Sequence, residues 1–264
     1  MVHETLWRLG VFFGIFSIIM ALEWAIPQRA DRPLRGERWF TNLSIVFIDQ
    51  LALRLLAFLM PLLAIGAALD AARLEIGFFN LVTLPIWLEG VLAILIFDFV
   101  IWGQHLVSHK VGFCWRFHKV HHSDADMDVT TALRFHPIEI AASMALKIGL
   151  VYLFGPAASA VLVFEVLLSA TALFTHANIL ITPKLDRILR KVIVTPDMHR
   201  IHHAPNRFDH DSNYGFFLVI WDRLFSTYHD QAQDKDLLDV GLTWPKETAA
   251  KLGFVMWLPF SRQK

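Results

Sequence analysis

Eight histidines in three clusters carry the chemistry legible in this chain. HLVSH holds His105 and His109, and WRFHKVHHS follows with His118, His121 and His122. DMHRIHHAP, about eighty residues further on, holds His199, His202 and His203. On a helix, positions i, i+3 and i+4 share a face, so each cluster points its imidazoles in one direction. Imidazole is the commonest neutral metal ligand near neutral pH. Eight of them are too many for one ion and suit two. The HxxHH triplet occurs twice, which predicts one arm for each metal.

Other residues are candidates for positions around the ligands. Asp98 lies seven residues before His105, on the same helical face. It either accepts an imidazole N–H and fixes the ring, or is a membrane acid paired with Arg54 or with another helix. His176, in THAN, is either a ninth ligand or a helix-end histidine against the dipole. Asn178 is placed to hold a water. Asn213, and His136 just before Pro137, are further outer candidates. Glu165 receives no role. His210 and His229 stand alone and read as surface, and terminal His3 is uninformative.

An all-nitrogen, sulfur-free set suits iron, copper, zinc or nickel, and of these iron or copper would also activate oxygen. The single cysteine, Cys114, leaves no internal disulfide and no thiolate cluster. Zero formal net charge gives no basic footprint for nucleic acid.

The positioning elements are apolar helices. The 264 residues are 55% hydrophobic and 18% charged, against about 45–50% and about 25% for a soluble domain, so the excess belongs in lipid. The length suits one domain, residues 1–264. Four to five membrane helices are expected, under a cytoplasmic histidine-rich helical cap. The first span is Leu6–Ile26, with no cleavable signal. PQRADRPLRGER is a loop, cytoplasmic by its Arg29, Arg32, Arg35 and Arg38. Leu43–Leu69 is the second span, the segment with Asp70, Arg73 and Glu75 lies on the far side, and Leu84 to about Gln104 is the third span. Ile138–Ile181 is too long for one crossing, and Gly155-Pro156 marks the turn of a hairpin. Basic blocks and histidine clusters then share the cytoplasmic side, with the amino terminus outside. FFLVIWDRLF (216–225) is too short to span and is expected to cap the site. Trp244, Trp257 and Phe260 are expected at the membrane interface, with ordinary packing as the alternative for Trp257 and Phe260.

From Asp98 to Tyr228 the chain resembles the fatty acid hydroxylase/sterol desaturase superfamily. FDFVIWGQHLVSH, WRFHKVHHS, TALRFHPIE, MHRIHHAP and NYGFFLVIWDRLFSTY match its blocks in order. Ser226 departs from the usual Gly. The resemblance implies a membrane-bound di-iron enzyme that uses O2 and two electrons to hydroxylate or desaturate an unactivated C–H bond of a lipid. It implies His105, His109, His118, His121, His122, His199, His202 and His203 as ligands, with His176 as a further one. With no fused cytochrome segment, it implies a separate ferredoxin- or cytochrome-type electron donor. Two other classes compete: a metal-ion transporter, and a membrane protein with structural metal. Transporters hold ions near the bilayer midplane, whereas these clusters fall at span ends. A structural site needs four ligands, fewer than are present.

Overall fold

The computed structural model describes residues 2–31, 34–59, 63–233 and 239–261, with backbone alone for 2–6, 8 and 56–59. Helices account for its regular structure, and the described residues hold two isolated β-bridges but no strand. Lipid imposes this choice, because a helix satisfies its own backbone polar groups.

The amino-terminal half runs through α1 (Val2–Ala25), α2 (Arg35–Leu59), α3 (Ala64–Arg73), the short α4 (Phe78–Leu81), α5 (Ile86–Lys110) and α6 (Gly112–His122). The hairpin follows as α7 (Pro137–Phe154) and α8 (Ala158–Thr175). Helices α5, α7 and α8 are long and apolar enough to cross a membrane, and Leu9–Ala25 of α1 adds a shorter apolar stretch. Much of their side-chain surface faces outward, as lipid contact requires: Phe13 and Ile18 on α1, Val91 on α5, Leu153 on α7 and Val163 on α8 are exposed.

The expected second span is two helices. Residues 60–62 lie outside the described structure, but the sequence has Pro61 there, and an interior proline removes a helix hydrogen bond. Helix α3 turns Ala64, Ala67, Ala68 and Ala71 inward, small residues that let it lie close on α7 and α8. The arginine-rich loop is also shorter than expected, because α2 takes in Arg35 and Arg38. Arg32 and the side chain of His3 lie outside the described residues.

The hairpin turns where expected. Gly155 sits at φ 61° and donates to the Val151 carbonyl at 2.7 Å. A Cβ there would run into Asn80 and the Ile76 carbonyl, so glycine is required both by conformation and by space. Past α8 come short helices: α9 (Pro183–Leu189), α10 (Pro196–His202), α11 (Arg207–His210), α12 (Ile220–Leu224), α13 (Lys246–Ala249) and α14 (Leu252–Trp257). Trp244 is partly buried and packs on Phe254 beside Ile45 and Val120, so it is a core residue of the tail. Trp257 is exposed.

Candidate metal centre

Three helices and one helix end converge. α5 delivers His105 and His109, α6 delivers His118, His121 and His122, and α8 ends at His176. α10 delivers His199 and His202, with His203 as its C-cap. Thr195 caps α10 by accepting from the Met198 N–H, and Pro196 occupies its first turn.

The nine rings form two groups, each with its nitrogens within 4.8 Å of one another. One group is His105, His109, His118, His122 and His202, and the other is His121, His176, His199 and His203. The expectation of one triplet per metal is therefore overturned. On a helix, residues i and i+4 diverge by about 40°, while i+3 lies about 60° to the other side. His118 and His122 stay together and His121 crosses over. In α10 the pair is His199 and His203, and His202 crosses back. Each HxxHH helix serves both groups.

Hydrogen bonds fix four tautomers. Nδ1 of His105 lies 2.7 Å from the Tyr214 carbonyl, His202 2.6 Å from Ser212 O, His176 2.7 Å from Ala172 O, and His118 2.6 Å from Glu139 Oε1. A carbonyl or carboxylate only accepts, so each Nδ1 carries the proton and each Nε2 presents a lone pair. Yet His105 Nε2 lies 3.0 Å from Nε2 of both His118 and His202. In the second group His176 Nε2 lies 3.0 Å from His121 Nε2 and 3.1 Å from His199 Nε2. Lone pairs aimed at one another need a cation between them. Imidazole–metal bonds of about 2.1 Å place neighbouring nitrogens about 3.0 Å apart on an octahedron and about 3.4 Å on a tetrahedron. The observed separations match the former. Both nitrogens of His109 and of His122, and Nε2 of His203, are buried with no hydrogen-bond partner among the described residues. The residues fit two metal ions.

Burial, reinforced by neighbouring imidazoles, pulls His121, His122, His199 and His203 well below the ordinary histidine pKa. They are neutral at pH 7, the form that binds metal.

The outer candidates behave differently from expectation. Asp98 is buried, but its Oδ2 accepts from Leu218 N–H at 3.2 Å and Trp221 Nε1 at 2.7 Å rather than from an imidazole. His136 caps α7, its Nδ1 accepting from Ile138 N–H, and packs on Phe117 and Phe260. Asn178 clasps the Arg29 backbone, accepting from its N–H at 3.0 Å and donating to its carbonyl at 2.8 Å. Asn213, at φ 53°, binds the backbones of Met198 and His229. These three side chains are positioned by local turns and caps, where Asn and His compete well for backbone groups. His210 is buried, not on the surface. It stacks on Trp115 at 5.4 Å and neighbours His109. His229 is half-buried and stacks on Phe208.

Three features went unrecognised in the sequence. Glu139 orients His118 from 21 residues away, although RFHPIE contains it. Asp222 gathers the chain after the last histidines, accepting from Trp102 Nε1, Tyr214 N–H, Gly215 N–H and Thr227 Oγ1. Its only sequence signal is one acid inside FFLVIWDRLF. That segment caps the site in part. Phe216 lies 4.9 Å from the His105 ring, while Trp221 and Phe225 pack on Phe99 and Trp102. The third feature is a buried charged knot that fastens Ser123–Arg134, the link from α6 to α7. Arg38 meets Asp124 at 2.6 and 2.9 Å and Asp128 at 3.0 Å. Arg134 bonds Asn42, Ser123 and the carbonyls of Val120 and Ala249.

A cavity of about 340 Å³ opens below the first group. His105, His118 and Glu139 line one end. Lys147, eight residues along α7 from Glu139, is about 12 Å further on. Ile101, Met144, Leu168 and Phe216 supply apolar wall.

Fold and site together define a class: a helical membrane protein with two adjoining histidine groups, the first of them bordering a cavity between the helices. Comparison with known proteins narrows it. The fatty acid hydroxylase family model matches residues 90–227, just over half the chain, and the chain belongs to that family. It is 29% identical over 266 residues to ornithine lipid hydroxylase OlsE of Rhizobium tropici, covering 98% of this chain and 77% of that protein. It is 33% identical over 165 residues to alkylglycerol monooxygenase of Homo sapiens, covering 61% of this chain and 34% of that one. The Xenopus tropicalis alkylglycerol monooxygenase is 30% identical over 248 residues, 91% of this chain and 50% of that one. The chain thus spans a third to a half of these two monooxygenases. No solved structure matches it. Relatives of this kind make the chain an oxidoreductase.

Proposed function

We propose that the chain is a single-domain, membrane-bound di-iron monooxygenase that hydroxylates a C–H bond of a lipid. The observation that carries this reading is the convergence of nine imidazoles as two groups, the first of which presents His105 and His118 to a cavity set among lipid-facing helices. The balance is R–H + O2 + 2 e⁻ + 2 H⁺ → R–OH + H2O, with electrons from a separate ferredoxin- or cytochrome-type protein. The names of the relatives favour hydroxylation over desaturation.

His105, His109, His118, His122 and His202 would hold one ion, and His121, His176, His199 and His203 the other. Bound iron supplies the oxygen activation. The chain's residues do the rest. Glu139 and the carbonyls of Tyr214, Ser212 and Ala172 keep the imidazoles aimed. Phe216 and Ile101 wall off water beside the reacting end. The cavity aligns a lipid so that one C–H bond faces the first group, and rigid helices keep that alignment. The basic residues Lys110, Arg116, Arg187 and Lys191 near the histidine-bearing helix ends favour a cytoplasmic site, within reach of a soluble electron donor.

His121→Ala and His202→Ala, each from a different group, should abolish product and lower bound iron. Purified variants that still oxidise lipid would overturn the assignment. Lipid mass spectrometry on cells with and without the gene identifies the substrate by the gain of one oxygen.

A further inference from the structure

The cavity is more polar than an acyl chain requires. Besides its apolar wall it carries Asp49, Gln50, Gln104, Ser143 and the Lys147–Glu165 pair. Most of its charge is accounted for. Lys147 Nζ lies 3.4 Å from Glu165 Oε1, and Glu139 meets His118 through Oε1, its Oε2 being buried with no hydrogen-bond partner among the described residues. Gln104 and Ser143 bond to each other at 3.3 Å.

Asp49 is the exception. It lies on α2, is 5% exposed, and lines the cavity. Its Oδ1 is buried with no hydrogen-bond partner among the described residues. Glu139 is near enough to repel it. Arg54, five residues further along α2, is exposed. A carboxyl group buried without a cation holds its charge only at a cost, and neither the bilayer nor the apolar wall can offset that cost. A ligand entering the cavity can.

We infer that Asp49 anchors a cationic group of the substrate, so that the lipid oxidised here carries a primary ammonium in its head group. An ammonium has three donors and suits one carboxylate with neighbouring amide and hydroxyl oxygens. Asp49 and Gln50 from α2, with the Ser143–Gln104 pair from α7 and α5, provide that set around the cavity. An ammonium held there brings the carbons next to it, rather than a distant chain terminus, toward His105 and His118. This rests on the reading of the cavity as the lipid site.

The test measures binding and turnover separately. The metal-loaded full chain in phospholipid nanodiscs is titrated with an ornithine lipid and with the same lipid acetylated at its free amine. The wild type should bind the free amine about tenfold more tightly or better, the effect of one charge-assisted hydrogen bond. D49N should reduce that ratio to within about twofold. Equal binding of the two lipids by the wild type overturns the proposal, as does a ratio that survives D49N. If D49N does not fold, the wild-type comparison decides. Turnover of either lipid, with reductant and O2, is scored beside binding. Binding preference without oxidation sinks the oxygenase reading and keeps the anchor. Oxidation without preference does the reverse.

Discussion

Replacing Arg38 by Met tests whether the buried knot holds the histidine-bearing helix α6 in place. Methionine keeps much of the volume and removes the charge. Arg38 is fully buried and makes four close contacts: Asp124 Oδ1 at 2.6 Å, Asp124 Oδ2 at 2.9 Å, Asp128 Oδ2 at 3.0 Å and the Asp126 carbonyl at 2.8 Å. Asp126 itself lies 3.7 Å away. Two arginines, Arg38 and Arg134, stand against three buried aspartates. Without Arg38 one arginine faces all three, and its nearest approach to Asp124 is 3.9 Å. Removing one partner of such a buried pair costs about 3–5 kcal/mol, because the other charge is left uncompensated. That is a fifth or more of the stability of a typical protein, about 5–15 kcal/mol. Equilibrium unfolding of the full chain in detergent should show the loss, and bound iron should fall with it, since Ser123–Arg134 sets the direction of α6. Adding Asp128→Asn should recover part of the loss by removing one orphaned charge. An Arg38→Met protein within about 1 kcal/mol of wild type would refute the reasoning, because the knot would then hold nothing.

Glu139→Gln keeps the shape but weakens the bond to His118 Nδ1, and should cost about 10–100-fold in metal affinity, read by chelator competition. Burial opposes the charge of Asp124, but Arg38 and Arg134 more than offset it and hold its carboxyl well below the usual range. Its stabilisation is therefore present above about pH 3.9 and is lost only as pH falls through the depressed folded value. The buried imidazoles set the milder acid limit. With folded values pulled below about 6.5, the unfolded chain binds more protons, so stability of chelator-treated protein should fall as pH drops below about 6.5. A melting temperature flat from pH 7.5 to pH 5 would count against neutral imidazoles. Ser226 sits at φ 58°, a conformation glycine adopts without penalty. Ser226→Gly should raise stability by about 1 kcal/mol without changing bound iron.

Local chemistry determined what the sequence made legible. Apolar runs of spanning length gave α5, and Gly155-Pro156 gave the α7–α8 hairpin, because helix formation in lipid depends on the segment itself. The eight clustered histidines were recognisable because HxxxH and HxxHH spacings already place rings on one side of a helix, and His176 because it stands at the end of an apolar span. Tertiary structure decided which ring joins which group. His118 and His121 are three residues apart on one helix, yet they face different partners because α5 lies toward one and the end of α8 toward the other. It also decided the supports. The atoms orienting His105, His202 and His176 are backbone carbonyls, which leave no mark in a residue pattern. Asp98 and His210 misled for the same reason: seven-residue spacing could not reveal Trp221, 123 positions away, nor could an isolated histidine reveal the Trp115 ring on which it stacks. Spacing along one helix fixes direction, whereas a hydrogen bond or a shared ion needs a second segment, and folding alone brings that segment near.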